Sequence, residues 1–308
     1  MKQLTCSEWI AHFLATDPPR SKSLVMTIFG DAIAPHGGTV WLGSLIELLV
    51  PFGVSDRLLR TSVFRLAQEG WLVANRDGRR SSYAIPPQAL ARFERANRRI
   101  YTPLATHWDG SWTMLMAVTG ALDAPTRANL RKELTWEGYG LIAQGIYGHP
   151  VAAPDVIEDI LVRMKAQGKL LVVRASELPG VSTRPLRELA AEGWDLSGVV
   201  QGYRSFIEQF SPLLALLQQD GPLAPEQAFM IRSLLIHAYR RVQLHDPMLP
   251  VELLPDPWPG SEAYELARAL YRSTQAQAEL HIGDVLRRED AQAPDADASF
   301  YLRFGGLV

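Results

Sequence analysis

The sequence of 308 residues contains a single cysteine, Cys6. No internal disulfide can form, and no zinc site built from thiolates can be assembled, which fits a reducing cytoplasm. Long apolar runs are also missing, since no stretch approaches the roughly 18 apolar residues of a membrane-spanning helix. The N-terminal apolar run is short and is broken by Glu8, His12 and Asp17. We therefore expect a cytoplasmic protein with no signal peptide and no membrane anchor.

The signatures of common catalytic sites are absent too. None of the seven histidines has a second histidine at the i, i+4 spacing of a helical metal site. The patterns GxSxG, GxGxxG and the P-loop do not occur. His245 and Asp246 form the most suggestive dyad, but they precede a proline in a segment expected to be extended, where Asp246 is expected to cap a turn. We expect no catalytic residue, no bound metal and no cofactor.

The net charge of only −2 hides an excess of opposite sign in the two parts of the chain. Residues 1–100 carry 13 Lys and Arg against 8 Asp and Glu, and the remaining residues carry 18 against 25. A basic first third on an acidic remainder indicates one module that meets a polyanion. The alternative is a random scatter of charge.

The helix caps, helix terminators and turn residues of the N-terminal third predict a winged helix-turn-helix. Helices are predicted over 21–34, over 40–50, and from the cap Ser55 to about Glu69, with Gly70 as terminator. The segment "WLVANRDGRRSSYAI" alternates on both sides of Asp77-Gly78, which predicts a β-hairpin.

The rest of the chain predicts two further modules, so the fold class is α+β. A basic amphipathic helix at 87–101 serves as a connector, and the β-α-β-β-α-β order that follows is ferredoxin-like. Later segments repeat apolar residues with helical periodicity, and the polar residues 288–299 are expected to be disordered. The expected domains are a winged helix with its connector (1–100), a ferredoxin-like domain (104–178), and a helical effector and dimerisation domain (179–308).

The third N-terminal helix has two distinct faces on a helical wheel. Leu59, Val63 and Leu66 form the core side, and the opposite side is basic and suits the major groove of DNA. The hairpin tip is also basic, as expected of a wing on phosphate or the minor groove. A solvated helix paired with Asp56 and Glu69 would not account for the hairpin. The candidate DNA-binding residues are Arg57, Arg60, Thr61, Phe64, Arg65, Arg76, Arg79 and Arg80.

Two family resemblances rest on these residues. The stretch "SDRLLRTSVFRLAQEGWL" resembles the recognition helix of the GntR class of bacterial repressors, with Arg60 and Gly70 matching and Asp56 departing from the pattern. More of the chain resembles the PaaX-like family of repressors of phenylacetic acid degradation. The matching stretches run from "SLVMTIFGDAIAPHGG" through "WDGSWTMLMAV" to "YRRVQLHDPMLPVELLPDPWPG" and the helix after it. This resemblance implies a homodimeric repressor that leaves its double-stranded operator when it binds phenylacetyl-coenzyme A.

Candidate effector residues follow from the chemistry of such a ligand. An arginine pair could hold the phosphates of coenzyme A, and an aromatic wall would suit a phenyl group. The candidates are Tyr239, Arg240, Arg241 and Trp258. The alternative is that the arginines favour the C-terminal dipole of a surface helix and that Trp258 belongs to a core.

The central module also resembles the ferredoxin-like nucleases of CRISPR systems. Those proteins carry an aspartate at the end of their first strand, where this chain has Val118 and Thr119. Metal-dependent cleavage is therefore not expected, although a nuclease, an acyl-CoA hydrolase using His245, and an RNA-binding protein remain alternatives. An RNA-reading sheet would expose aromatic residues on its strands, and "TMLMAV" and "KLLVVR" offer none, although Tyr147 lies near the middle pair of strands.

Overall fold

The computed structural model describes residues 5–102, 108–151, 154–178, 180–181, 186–219 and 223–307. The chain divides into two compact units. One consists of Met1–Pro103, Arg204–Arg241 and Glu262–Val308, and the other of Leu104–Tyr203 and Val242–Ser261. The α+β class is confirmed. Within the described ranges, every helix is too short or too polar to cross a bilayer.

The N-terminal part of the first unit is a winged helix-turn-helix. Its elements are α1 Cys6–Thr16, α2 Ser21–Ile28, β1 Thr39–Trp41, α3 Leu42–Leu49, α4 Asp56–Gln68, β2 Val73–Asp77, β3 Arg80–Ala84 and α5 Pro87–Tyr101. The three strands form an antiparallel sheet in the order β1-β3-β2. The hairpin loop is Gly78–Arg79, one residue later than the Asp77-Gly78 prediction, and Asp77 pairs with Arg80.

Three local features differ from the sequence prediction. The helix expected over 40–50 starts only at Leu42, because Val40 and Trp41 pair with β3 as a third strand. The helix expected over 21–34 changes at Phe29 into a π-helical turn, Phe29–Ile33, followed by a short 3₁₀ turn. Helix α1, which was not predicted, begins at a capping box in which the Thr5 hydroxyl accepts from the Glu8 backbone N–H.

The C-terminal helices share the core of this first unit. They are α9 Ser197–Gln219, α10 Pro225–Gln243, α11 Gly260–Glu289 and α12 Ala298–Tyr301, the first three of which extend across the division between the units. Aromatic rings pack α1 against α9, with the ring centres of Trp9 and Phe210 5.2 Å apart.

The segment 288–299, expected to be disordered, has defined contacts instead. The Asp297 backbone N–H donates to the Pro35 carbonyl at 3.0 Å, and the Asp297 carboxylate caps α12. Asp295 forms an ion pair with Arg287. The backbone of Asp297 therefore reaches a residue distant in sequence, whereas the polar side chains of the segment form local contacts.

The second unit contains the predicted β-α-β-β-α-β order. Its elements are β4 Ser111–Ala117, α6 Ala124–Trp136, β5 Gly140–Ala143, β6 Ile146–His149, α7 Pro154–Arg163, β7 Leu170–Ser176 and α8 Leu186–Gly193. The sheet is antiparallel in the order β5-β6-β4-β7, as in ferredoxin-like folds. Leu115 packs with α6 and α7 on one face, and Trp112 packs with Trp194 and Leu253 on the other. The first residues of the predicted helix "RPLRELAAEGW" lie outside the described residues.

A buried charge cluster holds the first unit together. The carboxylate of Asp31, in the π-helical turn, accepts from Arg232 of α10 at 3.0 Å and from Arg303 at 3.1 Å. It also accepts from the hydroxyls of Tyr101 and Tyr271 at 2.7 and 2.8 Å. Burial raises the pKa of both tyrosines, which keeps their hydroxyls protonated as donors.

A second carboxylate completes the charge balance. Glu279 of α11 accepts from Arg232 at 2.6 Å and lies 3.2 Å from His36. Burial disfavours its charged form, but the hydrogen bond from His36 and the charge of Arg232 outweigh that effect and lower the pKa of Glu279 to about 2. Two arginines therefore face two carboxylates in the interior.

Replacement of Asp31 is expected to be strongly destabilising. Asp31→Asn leaves two buried guanidinium groups with one carboxylate, and breaking such a buried pair costs about 3–5 kcal/mol. Asp17→Asn is the matched control, because it removes a half-exposed partner of Arg241 and should cost less than about 1 kcal/mol. Chemical denaturation of the three proteins measures both. Equal losses in the two variants would contradict the role given to Asp31.

Candidate nucleic-acid interface

Helix α4 is fixed at both ends by local hydrogen bonds. The Ser55 hydroxyl accepts from the backbone N–H of Leu58 at 3.3 Å, as an N-cap. At the other end Gly70 adopts a positive φ of 74°, and the Trp71 N–H donates to the Leu66 carbonyl. This Schellman closure connects the helix directly to the wing.

The inner face of α4 is the one that the sequence predicted. Leu59, Val63 and Leu66 are buried, with exposed fractions of 1% or less. Ser62 is also buried, and its hydroxyl lies 2.9 Å from that of Ser21 at the start of α2. Helix α2 is therefore the direct support of α4.

The outer face of α4 is exposed and basic. Phe64 is 59% exposed, so its ring is accessible to a partner molecule. Arg60 forms an i, i+4 ion pair with Asp56 at 2.8 Å, and the Thr61 hydroxyl donates to the Arg57 carbonyl at 2.9 Å. The five predicted residues of this helix, Arg57, Arg60, Thr61, Phe64 and Arg65, are all exposed.

The three wing arginines differ in their surroundings. Arg76 on β2 and Arg79 in the loop are exposed. The side chain of Arg80, expected at the tip, instead donates to the carbonyl and carboxylate of Glu289 at 3.0 and 3.1 Å. Its guanidinium lies 4.1 Å from the centre of the Trp41 ring. Because the loop is Gly78–Arg79, Arg80 is the first residue of β3, and it contacts the end of α11.

The four effector candidates have separate environments. Tyr239 is fully buried, with its ring 5.3 Å from Phe206. Arg240 contacts α2, whereas the adjacent Arg241 is exposed and lies 3.2 Å from Asp17. Trp258 belongs to the second unit, where its ring is 5.7 Å from Tyr203. The two arginines therefore do not form the paired phosphate clamp that their adjacency suggested.

Two acidic side chains hold the local backbone, one shortly after the first strand of the central sheet and one in the His245-Asp246 pair. Asp123 caps α6 by accepting from the Thr126 N–H at 2.7 Å, and hydrogen bonds from Thr126 lower the pKa of Asp123. The buried Asp246 accepts from the Met248 N–H and the Tyr203 hydroxyl, both at 2.7 Å. No group of three or more His, Cys, Asp or Glu suited to a metal ion occurs within the described ranges.

The central sheet does not present Tyr147 to a nucleic acid. Its side chain is 4% exposed and belongs to the core between the sheet and its two helices. The stacking surface required of an RNA-reading sheet is therefore not supplied by this residue.

Comparison with known proteins assigns the chain to a family. Residues 20–89 match the model of the PaaX-like protein, residues 105–187 that of the PaaX protein central Cas2-like domain, and residues 194–284 that of the PaaX-like protein C-terminal domain. The chain belongs to the PaaX-like family. The relative "Transcriptional repressor PaaX" of Escherichia coli (strain K12) is 35% identical over 97% of this chain and 94% of its own length.

A solved structure is also similar to this PaaX-like chain. It is "Uncharacterized protein Rv0674 from Mycobacterium tuberculosis", with 24% identity and a TM-score of 0.49. The match covers 81% of this chain and 96% of that one.

The wing arginines should differ in their effect on the salt dependence of DNA binding. Arg79→Ala is expected to weaken all DNA about equally and to reduce the slope of log affinity against log salt by about 1, the loss of one phosphate contact. Arg80→Ala should reduce the slope less, because Glu289 already neutralises Arg80. Binding titrations at several salt concentrations measure the slopes, with Arg131→Ala on α6 as an exposed control. An unchanged slope for Arg79→Ala would remove the wing from the interface.

Arg60 is expected to read a base. Arg60→Ala should relax preference at one operator position and cost about 1–3 kcal/mol there. Competition between operator and single-position variants measures this, and Arg98→Ala on the exposed side of α5 controls for lost charge. If operator and scrambled DNA lose affinity together, Arg60 contacts only phosphate.

Proposed function

We propose that this PaaX-like protein is a transcriptional repressor that binds operator DNA through α4 and the β2–β3 wing. The main support is the likeness over nearly the whole chain to a relative named as a transcriptional repressor. The geometry of α4 adds a physical reason, because a helix with a buried apolar face and an exposed arginine-rich face suits the major groove.

The chemistry of the exposed face favours sequence-specific readout. Arginine donates two parallel hydrogen bonds to guanine, and an apolar ring can contact the methyl group of thymine. Arg57, Arg60 and Arg65 could supply the former chemistry, and Phe64 the latter. The wing adds cations that attract phosphate without reading sequence. Specificity would then come from α4 and much of the affinity from charge.

The proposed regulated genes are those of phenylacetate catabolism, and the proposed effector is phenylacetyl-coenzyme A. A thioester of coenzyme A presents phosphates, an adenine and an apolar acyl end. One site can then distinguish both the activated state and the identity of the acid. The free acid offers only a carboxylate and a phenyl ring.

Release from DNA would follow from a shift in the population of dimer geometries. A homodimer presents two recognition helices to major grooves about 34–36 Å apart on a palindromic site. An effector that binds a second geometry more tightly lowers operator affinity by that difference. This mechanism needs no catalytic step. We also propose that the protein acts in the cytoplasm.

The identity of the effector can be tested by DNA release. Phenylacetyl-coenzyme A is expected to dissociate the operator complex, whereas free coenzyme A and phenylacetate at equal concentrations should not. The reason is that only the thioester carries both the phosphates and the apolar end. Fluorescence anisotropy of labelled operator gives the measurement, with scrambled DNA as control. Release by phenylacetate, or by none of the three, would leave a repressor with a different signal.

A further inference from the structure

Arg232, Arg303 and Arg240 of the first unit extend into its interior, and among the described residues Arg232 and Arg303 meet carboxylates. Arg232 and Arg303, with exposed fractions of 0% and 6%, pair with Asp31, and Arg232 also pairs with Glu279. The third is Arg240, two turns along α10 from Arg232. Its largely buried guanidinium has no carboxylate partner within the described residues.

The contacts of Arg240 are with neutral groups of α2. Its Nη1 atom donates to the Ser23 carbonyl at 3.2 Å and to the Thr27 hydroxyl at 3.1 Å. The Nε and Nη2 atoms make no hydrogen bond to the part of the chain that the structure describes. An edge of the guanidinium therefore keeps two donors available, in the fork arrangement that matches a carboxylate or phosphate.

The surroundings of Arg240 do not offset its charge. Burial lowers the pKa of Arg240, and burial together with the charges of Arg240 and Arg241 lowers the pKa of the neighbouring His237 to about 3. Arg241 itself lies next to Asp17. Arginine remains protonated in proteins, and a buried cation without a counter-charge is costly. An added anion would remove that cost.

We infer that Arg240 is an anion-binding residue, whose Nε–Nη2 edge takes a carboxylate or a phosphate with two acceptor oxygens at the contact between α10 and α2. Its position connects such a ligand to the DNA-binding motif. Ser23 and Thr27 lie on α2, and the Ser21 hydroxyl at the start of that helix lies 2.9 Å from Ser62 of α4. An anion that competes for Arg240 changes a contact on the helix that supports α4.

Assigning this anion to the effector rests on the proposed function, whereas anion binding itself does not. Four probes separate the possible sources: inorganic phosphate, free coenzyme A, phenylacetate and phenylacetyl-coenzyme A. Calorimetry on the full chain is expected to find at least one of them bound. Arg240→Met should weaken that probe about tenfold or more, the usual effect of losing charge-assisted hydrogen bonds. Arg240→Lys, which keeps the charge but not the fork, should lose part of the affinity.

The matched control is Arg241→Met, one residue along the chain and exposed, which should retain affinity within about twofold. Thermal unfolding without ligand separates binding from a structural role. Removal of an uncompensated charge should leave the midpoint of Arg240→Met unchanged or raise it. A lowered midpoint together with unchanged ligand affinity would show Arg240 to be structural and would overturn the inference.

The remaining outcomes distinguish this inference from the proposed function. If no probe binds the wild-type protein more tightly than Arg240→Met, the anion site is wrong, even where phenylacetyl-coenzyme A still releases operator from both proteins. If a probe binds through Arg240 but none releases operator, the anion site stands and the proposed effector is wrong. Response to coenzyme A or inorganic phosphate identifies a phosphate site, and response to phenylacetate identifies a carboxylate site.

Discussion

The carboxylate of Asp31 is the contact on which the first unit depends. It accepts from two arginines and two tyrosines that come from α10, α5, α11 and the segment after α12. Asp31 lies in a π-helical turn, where the local change from α-helical geometry brings the side chain to these partners. Since a buried charge must be paired, every one of these elements is held against the winged-helix motif.

One turn at the end of α11 makes a second connection to the same motif. The Ser44 hydroxyl of α3 donates to the Val285 carbonyl at 3.1 Å, and Arg288 pairs with Glu47. The carboxylate of Glu289 holds Arg80, and it occupies the space that a side chain at Gly43 would need. The end of α11 therefore contacts α3 and the wing, so that a displacement of α11 would alter the surface proposed to bind DNA.

Helix α10 links the two kinds of buried arginine. Arg232 and Arg240 are eight residues apart on the helix, a little over two turns, so their side chains are rotated by about 80° from one another. One meets the carboxylate of Asp31 and the other meets Thr27, four residues earlier in the chain. The pair of Arg232 and Asp31 holds α10 in place. The charge of Arg240 lies against α2, and α2 packs against α4, so an anion bound to Arg240 could alter the position of α4.

Much of this architecture can be read from local patterns. The cap at Ser55, the stop at Gly70 and the spacing of Leu59, Val63 and Leu66 determine α4 and its buried face, because capping and periodicity act within a few residues. The central strand and helix order likewise predicted the ferredoxin-like sheet. The strand at Val40 was missed because its pairing with Tyr83 spans 43 residues.

Long-range charge pairing was the part that only the tertiary structure decided. The sequence predicted that Arg80 binds DNA. In the structure its guanidinium pairs with Glu289, a residue 209 positions later in the chain that local patterns could not reveal. Arg240 and Arg241 looked like a pair, but neighbouring residues on a helix point about 100° apart, so they reach different elements. The sequence by itself determined α4 with its arginine-rich face and the presence of the hairpin, because caps, turns and apolar periodicity act over a few residues. Which cations are neutralised depended on partners distant in sequence, because the pairing of a charge follows from distance in space and burial.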